Sequence, residues 1–151
     1  MKGSKLKKIA PSQKIIKKIV KFWLPVVIWA VVIFLFSARP TPRATRIFWQ
    51  DFILKKSAHV FEYAVFTTLL YRALKEGGIE KKEAGISSII LAVLYGVSDE
   101  IHQFFTPGRE PRVRDVVFDT IGAILAIYGI WRYLPKAPKK LRLWAERWQL
   151  T

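Results

Sequence analysis

Ser98–Asp119, SDEIHQFFTPGREPRVRDVVFD, gathers the polar residues of a chain that is otherwise basic ends and apolar runs. Asp99, Glu100, His102 and Gln103 close one apolar run, and Asp115 and Asp119 enter the next. Between them Pro107-Gly108, a pair suited to the two centre positions of a type II turn, precede Arg109, Arg112 and Arg114. The stretch therefore reads as the polar end of one helix, a turn, and the polar start of another.

Working outward, Phe22–Ala38 carries no charge up to its end and is about long enough to span a hydrocarbon core as a helix. Lys56–Leu74 begins polar, with His59, Glu62 and Tyr63, and turns apolar over Ala64–Leu70. After the charged turn Lys75–Glu83 with its Gly77-Gly78 pair, Ala84–Ser98 is a nearly pure apolar run, and Val113–Leu134 is apolar from Ile121 to Trp131 until Pro135 and Pro138 break it. These four segments predict an all-α fold, a polytopic membrane protein with a bundle of four transmembrane helices over residues 22–134.

The flanks differ in kind. Residues 1–21 hold eight lysines, with Ile15, Ile16, Ile19 and Val20 opposite Lys14, Lys17, Lys18 and Lys21, a pattern that predicts a basic interfacial helix. Residues 135–151 place Leu141, Trp144, Ala145 and Trp148 on one face against Lys139, Lys140, Arg142 and Arg147, a second amphipathic segment. The connector Arg39–Lys56 mixes two prolines with Ile47, Phe48, Trp49, Phe52 and Ile53, which suits a short interfacial helix. Bulky Phe36 spoils a small-residue cleavage site after Ala38, so the first apolar run reads as a retained span and not as a signal peptide.

A net charge of +15 with 52% hydrophobic residues excludes the ordinary nucleic-acid-binding class, whose basic residues do not alternate with bilayer-length apolar spans. With no cysteine there is no disulfide framework and no thiolate. Four spans place both termini on one side, and the 26 Lys and Arg then divide 18 to 8 in favour of that side. By the positive-inside rule both termini are cytoplasmic. The polar ends of the second, third and fourth helices then share the outer leaflet, where ionisable groups cost several kcal/mol unless paired or hydrated, so they predict one water-accessible cavity.

On the second helix Lys56, His59, Glu62 and Tyr63 follow steps of three and four, which lets His59 touch Lys56, Glu62 or Tyr63. On the third, Tyr95, Asp99, His102 and Gln103 share a face, again setting a carboxylate beside an imidazole. A carboxylate can hold an imidazole in one tautomer and make it a better base. His59, Glu62, Asp99, His102 and Asp119 are thus the catalytic candidates, and Lys56, Tyr63, Glu100, Gln103, Arg109, Arg112 and Asp115 the substrate-binding ones. Plainer readings stand beside these: Lys56 snorkelling to the interface, Asp115 favouring its helix N-terminus, the arginines solvated in a loop.

KSAHVFEYAVFTTLL at Lys56–Leu70 and SDEIHQFFTPGREPRVRDVVFDTIGA at Ser98–Ala123 resemble the two signatures of the VanZ-like membrane proteins of bacteria. The resemblance covers about residues 22–134 and leaves out both basic flanks. It implies a compact four-helix domain in the bacterial plasma membrane, and the family includes a protein associated with resistance to the glycopeptide teicoplanin. Carried over by motif, it marks Lys56, His59, Glu62, Tyr63, Asp99, Glu100, Gln103, Arg109, Asp115, Asp119 and Gly122.

Three functions follow as expectations. The first is an enzyme acting on an anionic lipid or lipid-linked cell-envelope precursor, with His59 or His102 as acid or base and Arg109 and Lys56 on a phosphate. It needs no cofactor, although Asp99, Glu100, Asp115 and Asp119 are of a kind that binds a divalent cation. The second is a resistance factor that binds a lipid head group or a glycopeptide tail without transforming it. A transporter ranks third, because the inner halves of the spans read as lacking polar residues. Membrane lipids are the partners in each case, nucleic acid is not one, and the oligomeric state is left open.

Overall fold

The structure, a computed structural model, describes residues 11–39, 47–107, 109 and 111–151. The described residues form five α-helices and no strand: α1 Pro11–Ser37, α2 Phe48–Glu76, α3 Lys81–Phe104, α4 Val113–Tyr128 and α5 Lys139–Arg147. α4 runs on through a π-helical turn, Gly129–Tyr133, and a 3₁₀ turn, Leu134–Lys136, before Pro138 starts α5.

Two expected interfacial helices are instead the beginnings of longer ones. Nothing between Lys21 and Phe22 breaks the helical period, so residues 11–21 of the lysine-rich flank and the apolar run form the single 27-residue α1. Pro25 inside it leaves the Lys21 carbonyl without its usual amide partner but does not end it. Likewise the aromatic end of the connector is the first turn of α2, stabilised by Asp51 near the helix N-terminus and its 2.8 Å ion pair with Lys55 one turn on. The connector's prolines, Pro40 and Pro42, lie outside the described residues.

α2 packs against α1, α3 and α4 and is the centre of the bundle. Its crossing with α4 depends on Gly122, where an added Cβ would lie 2.3 Å from the Val60 carbonyl oxygen. Such an approach is open only to a residue without a side chain. The α2–α3 turn uses Gly78 at φ +102, and the Gly77 and Ile79 amides return to the Ala73 and Leu74 carbonyls, closing the end of α2.

One core cluster joins Phe22, Val26 and Ile33 of α1 to Tyr63, Phe66 and Leu70 of α2, Ala92 of α3 and Ala123 of α4. A second, at the end where α2 finishes, joins Tyr71, Leu74, Ala84, Ile127 and Ile130 to Ala145 and Leu150 of the tail. The tail therefore does more than lie beside the bundle, as its pattern suggests: its small Ala145 and its Leu150 are buried in the core. Outward, α1 exposes Leu24, Val27, Ile28, Val31 and Leu35, α3 exposes Ile90, Leu94 and Ile101, and α4 exposes Val117, Ile124 and Leu125. Among the described residues, Ser12–Ser37 and Lys81–Phe104 are long and apolar enough to cross a bilayer, at mean hydropathies of 2.5 and 1.5.

Candidate functional site

At the end where α1 and α3 finish and α2 and α4 begin, a cavity of about 440 Å³ opens among four helices and the α3–α4 turn. α2 lines it with Lys55, Lys56, Ala58, His59, Glu62 and Tyr63, and α1 with Ile33, Phe36 and Ser37. Asp99 and Gln103 of α3, Arg109 and Arg112 of the turn, and Asp115 of α4 complete the wall. Helical spacing puts Lys56, His59 and Tyr63 on one face of α2, and it sets Asp119, which does not itself line the cavity, on the same face of α4 as Asp115.

The close α2–α4 crossing decides the pairing. Lys56 Nζ meets Asp115 Oδ1 at 2.5 Å, and His59 Nδ1 lies 2.9 Å from Asp119 Oδ1. Nε2 of the same imidazole is 3.7 Å from Asp115 Oδ2. The ring thus stands between two carboxylates, one of them already neutralised by Lys56. With its Nδ1 proton donated to Asp119, His59 presents Nε2 as a base; protonated there, it becomes an imidazolium held from both sides.

Gly96 of α3 faces this pair, its missing Cβ leaving 3.2 Å to Asp119 Oδ2 and 3.4 Å to the Tyr63 hydroxyl oxygen. Asp99 accepts a hydrogen bond from the Gln103 side chain at 2.9 Å, and Glu100 accepts one from the Arg112 amide at 2.6 Å. The other oxygens, Asp99 Oδ1 and Glu100 Oε1, and the Tyr63 hydroxyl are buried with no hydrogen-bond partner among the described residues. Buried polar atoms of this kind are satisfied by water or by a ligand.

Arg109 behaves differently from a free anion clamp. Its Nε donates to the Ser37 carbonyl at 2.8 Å and its Nη2 to the Phe36 carbonyl at 2.6 Å. Those carbonyls close the last turn of α1, where the helix dipole is negative, so the guanidinium ties the turn to α1 while it lines the cavity. Burial lowers its affinity for its proton, opposed by the charges of Asp99, Glu100, Asp115 and Glu62. The turn itself is closed by the Arg109 amide on the Thr106 carbonyl, 3.1 Å. Gly108, on which a type II assignment depends, is outside the described residues.

Three expectations are corrected. His59 pairs with Asp119 across helices and not with Glu62 on its own, because the Gly122 crossing brings α4 within reach. Asp99 bonds Gln103 and not His102, whose ring packs against Phe34 of α1 at 4.5 Å between centroids; His102 is not among the residues that line the cavity. The apolar halves are not without polar groups either: Thr67, Tyr71 and Ser88 are fully buried.

Ile33, Phe36, Ser37, Lys55 and Ala58 line the cavity without belonging to the polar constellation expected there. Lys55 has a signal in its spacing from Asp51, but the Phe36 and Ser37 carbonyls that hold Arg109 are backbone groups, which no side-chain pattern announces. Among the described residues no three His, Asp or Glu groups converge so as to hold a metal ion.

A family model described as VanZ/LLP1 matches residues 22–134, which is the stretch that builds this cavity. No curated protein and no solved structure matches the chain.

Proposed function

The chain belongs to the VanZ/LLP1 family, and from that premise we propose that it is a four-span membrane protein of the bacterial plasma membrane whose cavity takes a phosphate-bearing lipid or lipid-linked envelope precursor and performs acid/base chemistry on it. The outward apolar rows of α1, α3 and α4 support immersion in lipid, since patches of that extent are unfavourable in water. The division of Lys and Arg, 18 to 8, orients the bundle with both termini in the cytoplasm and the cavity in the outer leaflet. Lys56 to Tyr63 then lie at the depth of phosphate and ester groups.

The observation that carries the chemistry is His59 held between Asp119 and Asp115 at a cavity wall that also presents Lys55, Arg109 and Arg112. Nε2 takes the proton of an attacking water or hydroxyl as its oxygen bonds to phosphorus or to an ester carbon. When the bond to the leaving oxygen breaks, the imidazolium returns the proton to it. Asp119 fixes the tautomer throughout, and the cations offset charge that develops on the reacting group. Lys56 keeps Asp115 from competing for the Nε2 proton.

A second reading, capture of a lipid head group or a glycopeptide tail without turnover, rests on how fully the cations are already engaged: Lys55 by Asp51, Lys56 by Asp115, Arg109 by two carbonyls. Mass spectrometry of lipids and envelope precursors separates the two. Cells with the protein, without it, and with His59→Ala are compared. Accumulation of one species in the last two strains is expected, and pools unchanged across all three give the binding reading instead.

A further inference from the structure

We propose that the cavity is loaded from the side, through a window between the last two turns of α1 and the first half of α2, by a lipid that brings its phosphate in and leaves its chains outside. The inference rests on the outer-leaflet reading above and adds the route and the part of the ligand that stays in the bilayer. Of the side chains in the cavity wall, Phe36 is 62% exposed and Ala58 is exposed as well, while Ser37 and Lys56 behind them are buried. The cavity therefore breaks the surface of the bundle along the α1–α2 seam, at an apolar lip.

The window has a roof and a sill. Above it Arg109 bonds the Phe36 and Ser37 carbonyls at 2.6 and 2.8 Å, joining the α3–α4 turn to α1. Below it Trp29 Nε1 donates to the Glu62 carbonyl at 2.9 Å, and Tyr95 donates to the Ala30 carbonyl at 2.6 Å, closing α1 onto α2 and α3. From Ala30 to Ser37 the opening spans about 10 Å of helix at 1.5 Å per residue. Lys55 stands in the wall beside this lip, one helical turn toward the outer end from His59.

This layout suits a molecule that is charged at one end and apolar at the other. Its phosphate meets Arg109 and takes the place of the Asp51 carboxylate on Lys55, its ester region reaches His59, and its chains rest on Phe36, Ala58 and the exposed rows around them. A soluble phosphate compound gains nothing from such a lip. Ala58 is the residue that keeps the window wide, since a longer side chain there would cross it without touching the His59–Asp119 pair.

The test uses the full chain in detergent and in nanodiscs, with phosphatidylglycerol and glycerol 3-phosphate as probes, read by native mass spectrometry and calorimetry. Ala58→Trp is expected to lower phosphatidylglycerol affinity at least tenfold and to leave glycerol 3-phosphate binding unchanged. Phe61→Trp, exposed on the same helix but outside the cavity wall, is expected to change neither. If Ala58→Trp fails to fold, a bulky thiol reagent on Ala58→Cys applied after folding does the same work, the chain having no other cysteine. Unaltered lipid affinity with the window blocked, or equal loss in Phe61→Trp, overturns the side route. Wild-type binding of glycerol 3-phosphate without the lipid also overturns it while sparing the phosphate site, whereas binding of neither probe overturns both.

Discussion

At the cavity end of the bundle Lys56 meets Asp115 at 2.5 Å and His59 meets Asp119 at 2.9 Å, while at the tail end the buried cation, Arg72, rests on aromatic rings and forms no ion pair among the described residues. There Arg72 lies between the rings of Phe22 and Trp148, 4.8 and 5.1 Å from their centroids, and Lys75 bonds the Thr151 and Gln149 carbonyls. Both ends bury charge on α2, four turns or so apart, yet they use it differently. The tail end attaches a cation to aromatic faces and carbonyls, which fastens α1, α2 and the tail together. The cavity end sets acids against bases across helices and leaves the second oxygens of Asp99 and Glu100 and the Tyr63 hydroxyl without a partner among the described residues. The first arrangement closes a structure; the second, under the proposed function, exchanges protons and hydrogen bonds with a bound lipid.

The contrast breaks most severely if the buried pair is halved. Lys56→Met leaves Asp115 buried without its lysine partner, so a loss of about 3–5 kcal/mol is expected, measured by thermal or denaturant unfolding in detergent. Adding Asp115→Leu should recover much of it, and a double-mutant cycle isolates the coupling. Full stability of the single variant would show that the pair is incidental.

Gly122→Ala comes next. Its Cβ would meet the Val60 carbonyl at 2.3 Å, so α2 and α4 must separate, at a cost of about 1–3 kcal/mol for overpacking. Because the same crossing brings His59 to Asp119, activity should fall further than stability. Equal, small effects on both would mean that the pairing does not depend on this contact.

Arg72→Leu is the smallest: about 1 kcal/mol, the scale of a cation held on aromatic rings, with unchanged turnover. Limited proteolysis should cut the tail more quickly, and a loss of turnover would join two ends that are separate here. A measurement without an energy sharpens the same contrast. In intact cells an impermeant thiol reagent should label Thr106→Cys and leave Gln13→Cys unlabelled; the reverse pattern would turn the molecule over in the membrane.

Much of the cavity end is legible in one dimension, because the period of a helix already puts Lys56, His59 and Tyr63 on one face and Asp115 and Asp119 on another. Which face meets which is a property of packing. His59 has an acid three residues away on its own helix, and only the absence of a side chain at Gly122, read together with the α2–α4 crossing, explains why it bonds Asp119. His102 has the same local credentials as His59 but packs on Phe34, since α1 has no local pattern that announces which side it covers. Arg109 is the sharper case: the sequence offers an arginine after a turn, suited to phosphate, while its partners are backbone carbonyls of α1 more than seventy residues earlier in the chain, as the separations of 72 and 73 record. The tail was legible as amphipathic, but burial of Ala145 and Leu150 depends on a surface that the π-helical turn after α4 brings beneath it.

The central claim is that the cavity end works through the His59–Asp119 pair. Its most direct test follows the turnover of a phosphate-bearing lipid by ³¹P NMR in nanodiscs, for the wild type, His59→Ala, Asp119→Asn and His102→Ala. The account predicts that the wild type and His102→Ala convert the lipid at similar rates, and that His59→Ala and Asp119→Asn slow conversion by about 10²–10⁴-fold while remaining folded. Conversion by His59→Ala at the wild-type rate, with His102→Ala inactive, would contradict it.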